Sequence, residues 1–455
     1  MAARPDSLAT VNDSPVRVGL LGCGTVGTSL IALLERQRDV IAARTGLDIS
    51  VTRVAVRDLS RARSAELPAG LFTDDPASVV TDPEIDLIVE VMGGIEPARP
   101  LLHAALSAGK PVVTANKALL ADHGAELFAA ADAGGVDLLF EAAVAGGIPF
   151  IRPLRESLLG EPVRRVMGIM NGTTNYILTK MTEAGADYGE ALAEAQALGY
   201  AEADPTADVG GFDAAAKIAI VASIAFGAEV TASMVDVEGI TSVAADDIAF
   251  ASRNGFVIKL LAVAERTGLD GSAQLSAAVH PVLVPAHHPL ASVRESFNAV
   301  FVEGDAVGEL MFYGRGAGGD PTASAVLGDL IDAAVNLRRG AHASIGALSV
   351  AQLRPTADAS SAYYLSLTAV DRPGVLAAIA SVLGDNSISI ASMSQSAADS
   401  DLGGALEEDE ARIDFITHRT GRRNLEATLT VLRSLESVRR VGSVIRVLSE
   451  EEDER

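Results

Sequence analysis

A hydrophobic run at 16–22 ends in glycine, and Leu30, Leu33, Leu34 and Ile41 then recur at helical spacing over 28–44. Between the two lie Gly22, Gly24 and Gly27 in the pattern G-x-G-x-x-G. A strand that turns on glycines straight into a helix leaves the first backbone N–H groups of that helix uncovered. A pyrophosphate can then rest on them without meeting a side chain. Alone the pattern is weak. The strand–turn–helix setting makes it specific, with a plain tight turn as the lesser alternative. Cys23, inside the turn, reads as a small space-filling side chain and not as a nucleophile.

Further strand-like runs at 49–56, 86–92, 111–115 and 136–140 alternate with helical patterns at 103–108 and 117–133. Such alternation predicts parallel βαβ units and a doubly wound sheet, so the fold class is α/β with a Rossmann-like domain over 15–149 that 317–340 completes. A mixed α/β substrate-binding and dimerisation domain is expected over 150–340, with helices at 188–198 and 213–226 and strands at 275–284 and 299–302. Segment 341–362, rich in Ala, Ser, Gly and Pro, reads as a pliable linker. Over 363–448 the patterns follow a βαββαβ order, the ferredoxin-like arrangement. Residues 1–14 read as a flexible arm and 449–455 as an acidic tail.

Composition removes whole classes of function. A formal charge of −24 argues against a nucleic-acid partner, which needs clustered Lys and Arg. A single cysteine excludes an internal disulfide or a Cys-rich zinc site and suits a reducing compartment, so a cytoplasmic location is expected. The longest apolar run, 218–228, is too short to span a bilayer, and 1–14 lacks the apolar core of a signal peptide. His287 and His288 are adjacent and lack the spacing of a metal motif.

Three places carry candidate chemistry. The second strand ends at Arg57-Asp58, where an arginine would meet the 2′-phosphate of NADP and an acid the ribose hydroxyls of NAD. Both types are present. NADP(H) through Arg57, helped by Arg61 or Arg63, is favoured; NAD(H) and a merely solvated Arg57 stay open. At 114–117 a strand gives way to a helix with Asn116 as N-cap and Lys117 in the first turn, where the helix dipole disfavours a cation. An anionic group coming to meet Lys117 would explain it; a solvated lysine is the alternative. Finally, an acid-rich loop at 199–205 runs into a helix on which Asp213 and Lys217, four apart, share one face. A simple salt bridge is the alternative to a site there.

Taken in order, GLLGCGTVG, EVMGG, TANKALLA, FEAAVAGGIP, NGTTNYIL, GYAEADPTADVGGFDAAAK, EGI and FYGRGAGG cover 16–335, and the sequence resembles the homoserine dehydrogenases. The resemblance implies reversible reduction of aspartate semialdehyde to homoserine, by a homodimer or homotetramer. It further implies that Lys217 exchanges the proton at the substrate oxygen and that Lys117 holds substrate and orients the nicotinamide. Glu202 and Asp213 would bind substrate; Thr25, Val26 and Gly316 would border the cofactor beside the glycines. Glu141, Val144, Gly146 and Ile148 match the family's monovalent-cation (sodium) site, built mainly from backbone carbonyls. The chemistry agrees: hydride transfer to an aldehyde builds charge on oxygen, which an ammonium both stabilises and protonates.

The turn 371–376, DRPGVL, with Asn386, Ile388 and Ile390 after it, resembles an ACT domain, a small-amino-acid regulatory module. Threonine, the pathway product, is the expected effector. A purely structural ferredoxin-like fold is the alternative. An acidic insertion at 397–410 departs from the family pattern. Another ACT-bearing dehydrogenase would need a His–acid pair with substrate arginines, which no segment matches. An acylating semialdehyde dehydrogenase would need a thiol away from the glycine turn. A decayed amino-acid sensor is countered by intact Lys117, Glu202, Asp213 and Lys217.

Overall fold

Strand β1 (Val16–Leu21) is almost wholly buried and stands at the centre of a six-stranded parallel sheet. Its partners are β2 (Ile49–Ala55), β3 (Phe72–Thr73), β4 (Leu87–Glu90), β5 (Val112–Thr114) and β6 (Leu138–Leu139), in the order β3-β2-β1-β4-β5-β6. This is the doubly wound order, with its switch point between β1 and β4. The structure is a computed structural model that describes residues 15–60, 69–267, 274–397, 406–407 and 409–449. The arm 1–14, Arg61, Arg63, most of the acidic insertion and nearly all of the acidic tail lie outside the described residues.

By contacts the chain forms two units, Met1–Glu161 with Ala219–Ser233 and Gly314–Val350, and Pro162–Ile218 with Met234–Tyr313 and Ala351–Arg455. In the first, α1 (Thr25–Thr45) and α10 (Gly319–Arg339) cover one face of the sheet. Leu30, Leu34, Val326 and Leu330 lock onto Val18, Leu20, Leu87 and Val89 there, each buried at about 1.5–3 kcal/mol. The sequence pattern misses β3 and the helix α2 (Pro76–Thr81), both too short for periodicity, although Asp75 caps α2 by accepting from Ala77 N and Ser78 N. Helices α3 (Ala98–Ser107) and α4 (Lys117–Gly134) pack on each other.

In the second unit the sheet runs β13-β12-β7-β10-β11-β19-β15-β17-β16. Its first part is β7 (Val163–Ile169), β10 (Phe256–Thr267), β11 (Gln274–Pro285), β12 (Phe297–Gly304) and β13 (Gly308–Arg315). Of these, β7, β10 and β13 escape the sequence reading; in β7 and β10, Arg164, Arg165 and Lys259 break the alternation. Their polar ends are satisfied across the sheet, with Arg165 pairing Glu303 at 2.9 and 2.7 Å. Helices α5 (Gly172–Ala184), α6 (Tyr188–Ala197), α7 (Thr206–Val209) and α9 (Ala245–Arg253) belong here, and α8 (Phe212–Phe226) begins here.

The remaining strands β15 (Ser360–Val370), β16 (Ile390–Ala397), β17 (Glu410–Thr417) and β19 (Val438–Val447), with α11 (Val375–Asp385) and α12 (Arg422–Ser434), give the βαββαβ order. This module does not hang on a tether. Strand β19 pairs with β11 through Val282↔Arg446 and Leu283↔Val447, so its sheet continues that of the preceding domain. Nor is the expected linker loose. The two-residue strand β14 (Ser349–Val350) pairs with β8 (Ala228–Glu229). Gln352 O accepts from Leu275 N, and Arg354 N donates to Leu275 O, each at 2.8 Å. Short strands β9 (Asp236–Val237) and β18 (Thr420–Gly421) add to β11 and β15.

Candidate active site

In the first unit the glycines divide the work of the turn. Gly22 has φ +101°, and a Cβ there would lie 2.9 Å from the Val91 backbone. At Gly27 a Cβ would meet Gly22 O at 2.5 Å. Gly24 is different: it is exposed, and nothing lies within 4 Å of where its Cβ would be. Helix α1 starts there with no side-chain cap and no acid in its first turn, so its N–H groups with Thr25 and Val26 can receive a phosphate. From far along the chain, α10 arrives at the same place. A Cβ on Gly319 would lie 2.9 Å from Ser29 Oγ and 3.0 Å from Thr25 Cγ2, which sets the 314–319 turn with Gly316 against this loop.

Arg57 is exposed just past the end of β2. Its neighbour Asp58 folds its carboxylate onto its own turn, accepting from Ser60 N at 2.8 Å and Ser60 Oγ at 2.6 Å. Across the switch point Glu90, fully buried at the end of β4, accepts from Met92 N and Gly93 N and from Thr114 Oγ1 at 2.6 Å. Asn116 donates to Gly94 O and caps α4 by accepting from Leu119 N. Glu90 thus shapes the loop that faces the glycine turn and ties it to the strand leading to Lys117, which is half-buried at the start of α4. No role for Glu90 follows from reading the motif; a lone acid within an apolar strand is the signal that could have found it.

The loop 141–148 is wound tightly, with Ala145 and Gly146 at φ 56° and 55°. A Cβ on Gly146 would lie 2.2 Å from Gly316 O, so the candidate cation loop presses on the candidate cofactor turn. Glu141 spends its carboxylate on the N–H groups of Phe150, Ile151 and Arg152, while its carbonyl accepts a long hydrogen bond, 3.4 Å, from Val144 N. Asp329, on α10, accepts from Glu141 N at 2.7 Å, and burial pushes its carboxyl up to about 7.

In the second unit Lys217 lies buried in the second turn of α8. Its Nζ donates to Asp213 Oδ2 at 2.6 Å and to Met170 O at 2.7 Å. Asn171 donates to the same Asp213 oxygen at 2.9 Å and to Asp208 at 2.7 Å, while its own Oδ1 caps α5 by accepting from Thr174 N. Asn171 and Asp208 were not singled out from the sequence, because their partners lie 42 and 37 residues apart in the chain. Glu202 is exposed on the preceding loop, whose backbone is held by Gln196 Nε2 donating to Glu202 O at 3.0 Å. His288 caps a short turn by accepting from Leu290 N and lies tilted against the Phe301 ring. At the head of α11, Asp371 to Gly374 are exposed, and α11 starts at Gly374 without a side-chain cap. No described helix is long and apolar enough to cross a membrane.

Comparison with known proteins fits this geometry. A family model for the homoserine dehydrogenase catalytic domain matches residues 149–331, one for the homoserine dehydrogenase NAD-binding domain matches 22–141, and one for the ACT domain matches 363–437. The chain is 49% identical over 438 residues to the homoserine dehydrogenase of Corynebacterium glutamicum, covering 95% of this chain and 96% of that one. Against the Mycobacterium tuberculosis homoserine dehydrogenase it is 48% identical over 441 residues, 96% of this chain and 98% of the other. Among solved structures, a homoserine dehydrogenase from Thiobacillus denitrificans superposes with a TM-score of 0.88 at 43% identity, covering 96% of this chain and 99% of that chain. A hyperthermophilic archaeal homoserine dehydrogenase in complex with NADPH gives 0.60 at 28% identity, covering 71% of this chain and 98% of that one.

Proposed function

Because the chain belongs to the homoserine dehydrogenase family, we propose that it reduces L-aspartate 4-semialdehyde to L-homoserine with NADPH, reversibly, and that threonine regulates it through the ACT domain. The observation that carries the catalytic assignment is the buried Lys217, aimed by two acceptors, Asp213 and Met170 O. Burial strengthens the field of an ammonium, so Lys217 stabilises the oxygen as charge develops and delivers the proton. Asp213 sets the lysine's direction and, with Glu202, receives the substrate's ammonium group. Asn171 holds Asp213 in place as a positioning residue. Lys117 meets the anionic end of the substrate and borders the nicotinamide.

The cofactor binds at Gly22, Gly24, Thr25, Val26 and Gly27, with Arg57 on the 2′-phosphate and Gly316 alongside; the open space over Gly24 and the uncapped α1 support this. When bound, the reduced nicotinamide supplies the hydride. Sodium would sit among the carbonyls of Glu141, Val144, Gly146 and Ile148, hard oxygen donors suited to such an ion. It would supply a fixed charge beside the turn at Gly316. The enzyme works as a homodimer or homotetramer in the cytoplasm. Loss of absorbance at 340 nm on mixing aspartate semialdehyde with each reduced nicotinamide tests the activity and separates it from a decayed sensor, which would turn over neither.

Cofactor choice has its own test. Arg57→Ala should weaken NADPH binding by about ten- to a hundredfold, the value of a lost charged hydrogen bond of about 1.5–3 kcal/mol. NADH binding should hardly change. Fluorescence titration reads both; an equal loss for both would make Arg57 structural and leave the preference to Asp58.

For regulation, the exposed head of α11 offers uncapped N–H groups to an effector carboxylate. Gly374 sits at φ +89° with nothing within 4 Å of a Cβ, so a larger residue acts by straining the backbone and not by crowding. Gly374→Val should leave basal turnover intact and raise the threonine concentration for half-inhibition at least tenfold. Truncation near Pro355 is a poorer test, because it strips β11 of β19.

A further inference from the structure

Where β19 joins β11, the second unit holds a partly open cavity of about 320 Å³. It lies at the start of β15, beside Ser360 and Ser361. The turn at Asp371–Gly374 follows the other end of that strand, which spans 11 residues, or about 35 Å. The cavity is therefore separate from the head of α11. Its floor is apolar, with Met167, Leu261, Val263 and Val282, and its volume falls at the small end of metabolite pockets.

The polar lining is unusual for a chain of net charge −24. Arg354, Arg419 and Arg446 face it against Asp236 and Glu265. A further arginine there, Arg165, is spent on Glu303. Arg446 is held less closely. Its side chain is 16% exposed, and its ion pairs to Asp236 and Glu238, at 3.6 and 4.0 Å, are too long for hydrogen bonds. Asp236 gives its short contact, 2.8 Å, to Arg422 instead. His280, 8% exposed and also lining the cavity, has an Nδ1 with no hydrogen-bond partner. Burial, with Arg446 and Arg422 nearby, drives its pKa down, so the ring is neutral. A buried imidazole nitrogen without a partner costs stability, and beside it stands a guanidinium held by long ion pairs that leave it able to take a closer anion.

We propose that this cavity binds a small aliphatic carboxylate, its carboxylate on Arg446 beside His280 and its hydrocarbon body on Met167, Leu261, Val263 and Val282. Such a ligand fills the seam between β11 and β19 and thereby steadies the ACT module against the preceding domain. The inference holds whether or not the head of α11 receives threonine.

Isothermal titration of the full-length protein with L-isoleucine, 4-methylpentanoate and L-isoleucinamide tests it. At least one of the two carboxylates should bind and the neutral-ended amide should not. Binding of isoleucine alone assigns the site to amino acids, and binding of 4-methylpentanoate alone to simple carboxylic acids. Arg446→Gln should weaken binding about tenfold or more, with basal turnover and melting temperature as controls for folding. Gly374→Val should leave it unchanged. If neither carboxylate binds at millimolar concentration, or Arg446→Gln binds as wild type, or Gly374→Val abolishes binding, the site is not this one. Crystals of the unmodified protein soaked with the binding probe give a reading without substitutions: density beside Arg446 supports the proposal, and density elsewhere overturns it.

Discussion

Lys217→Met is expected to lower kcat by a hundredfold or more, the usual loss when a general acid is removed. Methionine keeps the aliphatic volume of the buried stem in α8 and takes away only the ammonium. Asp213 then loses the lysine but still accepts from Asn171 at 2.9 Å, so the carboxylate is not stranded and the local fold should survive. NADPH affinity should stay near wild type, because the proposed role of Lys217 is at the substrate oxygen and not at the cofactor phosphates. Steady-state kinetics with a parallel fluorescence titration separates the two readouts. Full turnover in a folded Lys217→Met protein would return the pair to a plain salt bridge. Asn171→Ala makes a useful contrast: a positioning residue should cost less in kcat than the lysine it indirectly aims.

The part of this site that sequence reasoning reaches is the part built locally. The glycine turn is one strand, one turn and one helix, so spacing alone reveals it. Asp213 and Lys217 are one helical turn apart, and their hydrogen bond follows from that spacing. What holds these groups comes from elsewhere in the chain and leaves no periodic trace. Glu90 reaches Thr114, Asn171 reaches Asp213, and Asp329 reaches Glu141 across 188 residues. The fold divides the same way. The parallel sheet is legible because its strands are near-continuous apolar runs. Strand β10 is not, because a buried Lys259 interrupts it, and the acceptors that meet its charge, Asn175 and Val293 O, come from other segments. The 341–362 stretch looks like a tether by composition, but its backbone hydrogen bonds to Gly227 and Leu275 are invisible until those strands are placed.

Arg412→Met should destabilise the protein by about 3–5 kcal/mol, the cost of leaving buried carboxylates without their cation. Arg412 sits in β17 of the ACT module, 8% exposed. Its guanidinium donates to Asp246 at 2.7 Å, to Asp247 at 3.0 Å, to Tyr364 Oη at 2.8 Å and to Asp414 at 3.1 Å. Two of those acids, Asp246 and Asp247, come from α9 of the preceding domain. Ser443 of β19 also donates to Asp247. The module is therefore held by a buried charge cluster as well as by two register pairs between β11 and β19. Burial, helped by the nearby Asp247 and Asp414 carboxylates, holds the Tyr364 proton on, raising its pKa well above the usual phenol range. In the variant, Asp247 and Asp414, 1% and 2% exposed, would keep Tyr364, Ser443 and the Ala244 N–H as donors but lose the cation that balances their charge. Urea unfolding followed by circular dichroism measures the loss, and Asp247→Asn with Asp414→Asn in the Arg412→Met background should recover much of it by removing the stranded charge. Basal turnover should persist where the variant is folded, since no candidate catalytic group touches the cluster. The threonine response should weaken, because an effector can act on the catalytic domain only through a joint that transmits its preference. A loss below about 1 kcal/mol, the range of a solvated surface pair, would mean that water satisfies the cluster and that the joint rests on its other contacts, among them the β11–β19 pairing and the Arg422–Asp236 ion pair.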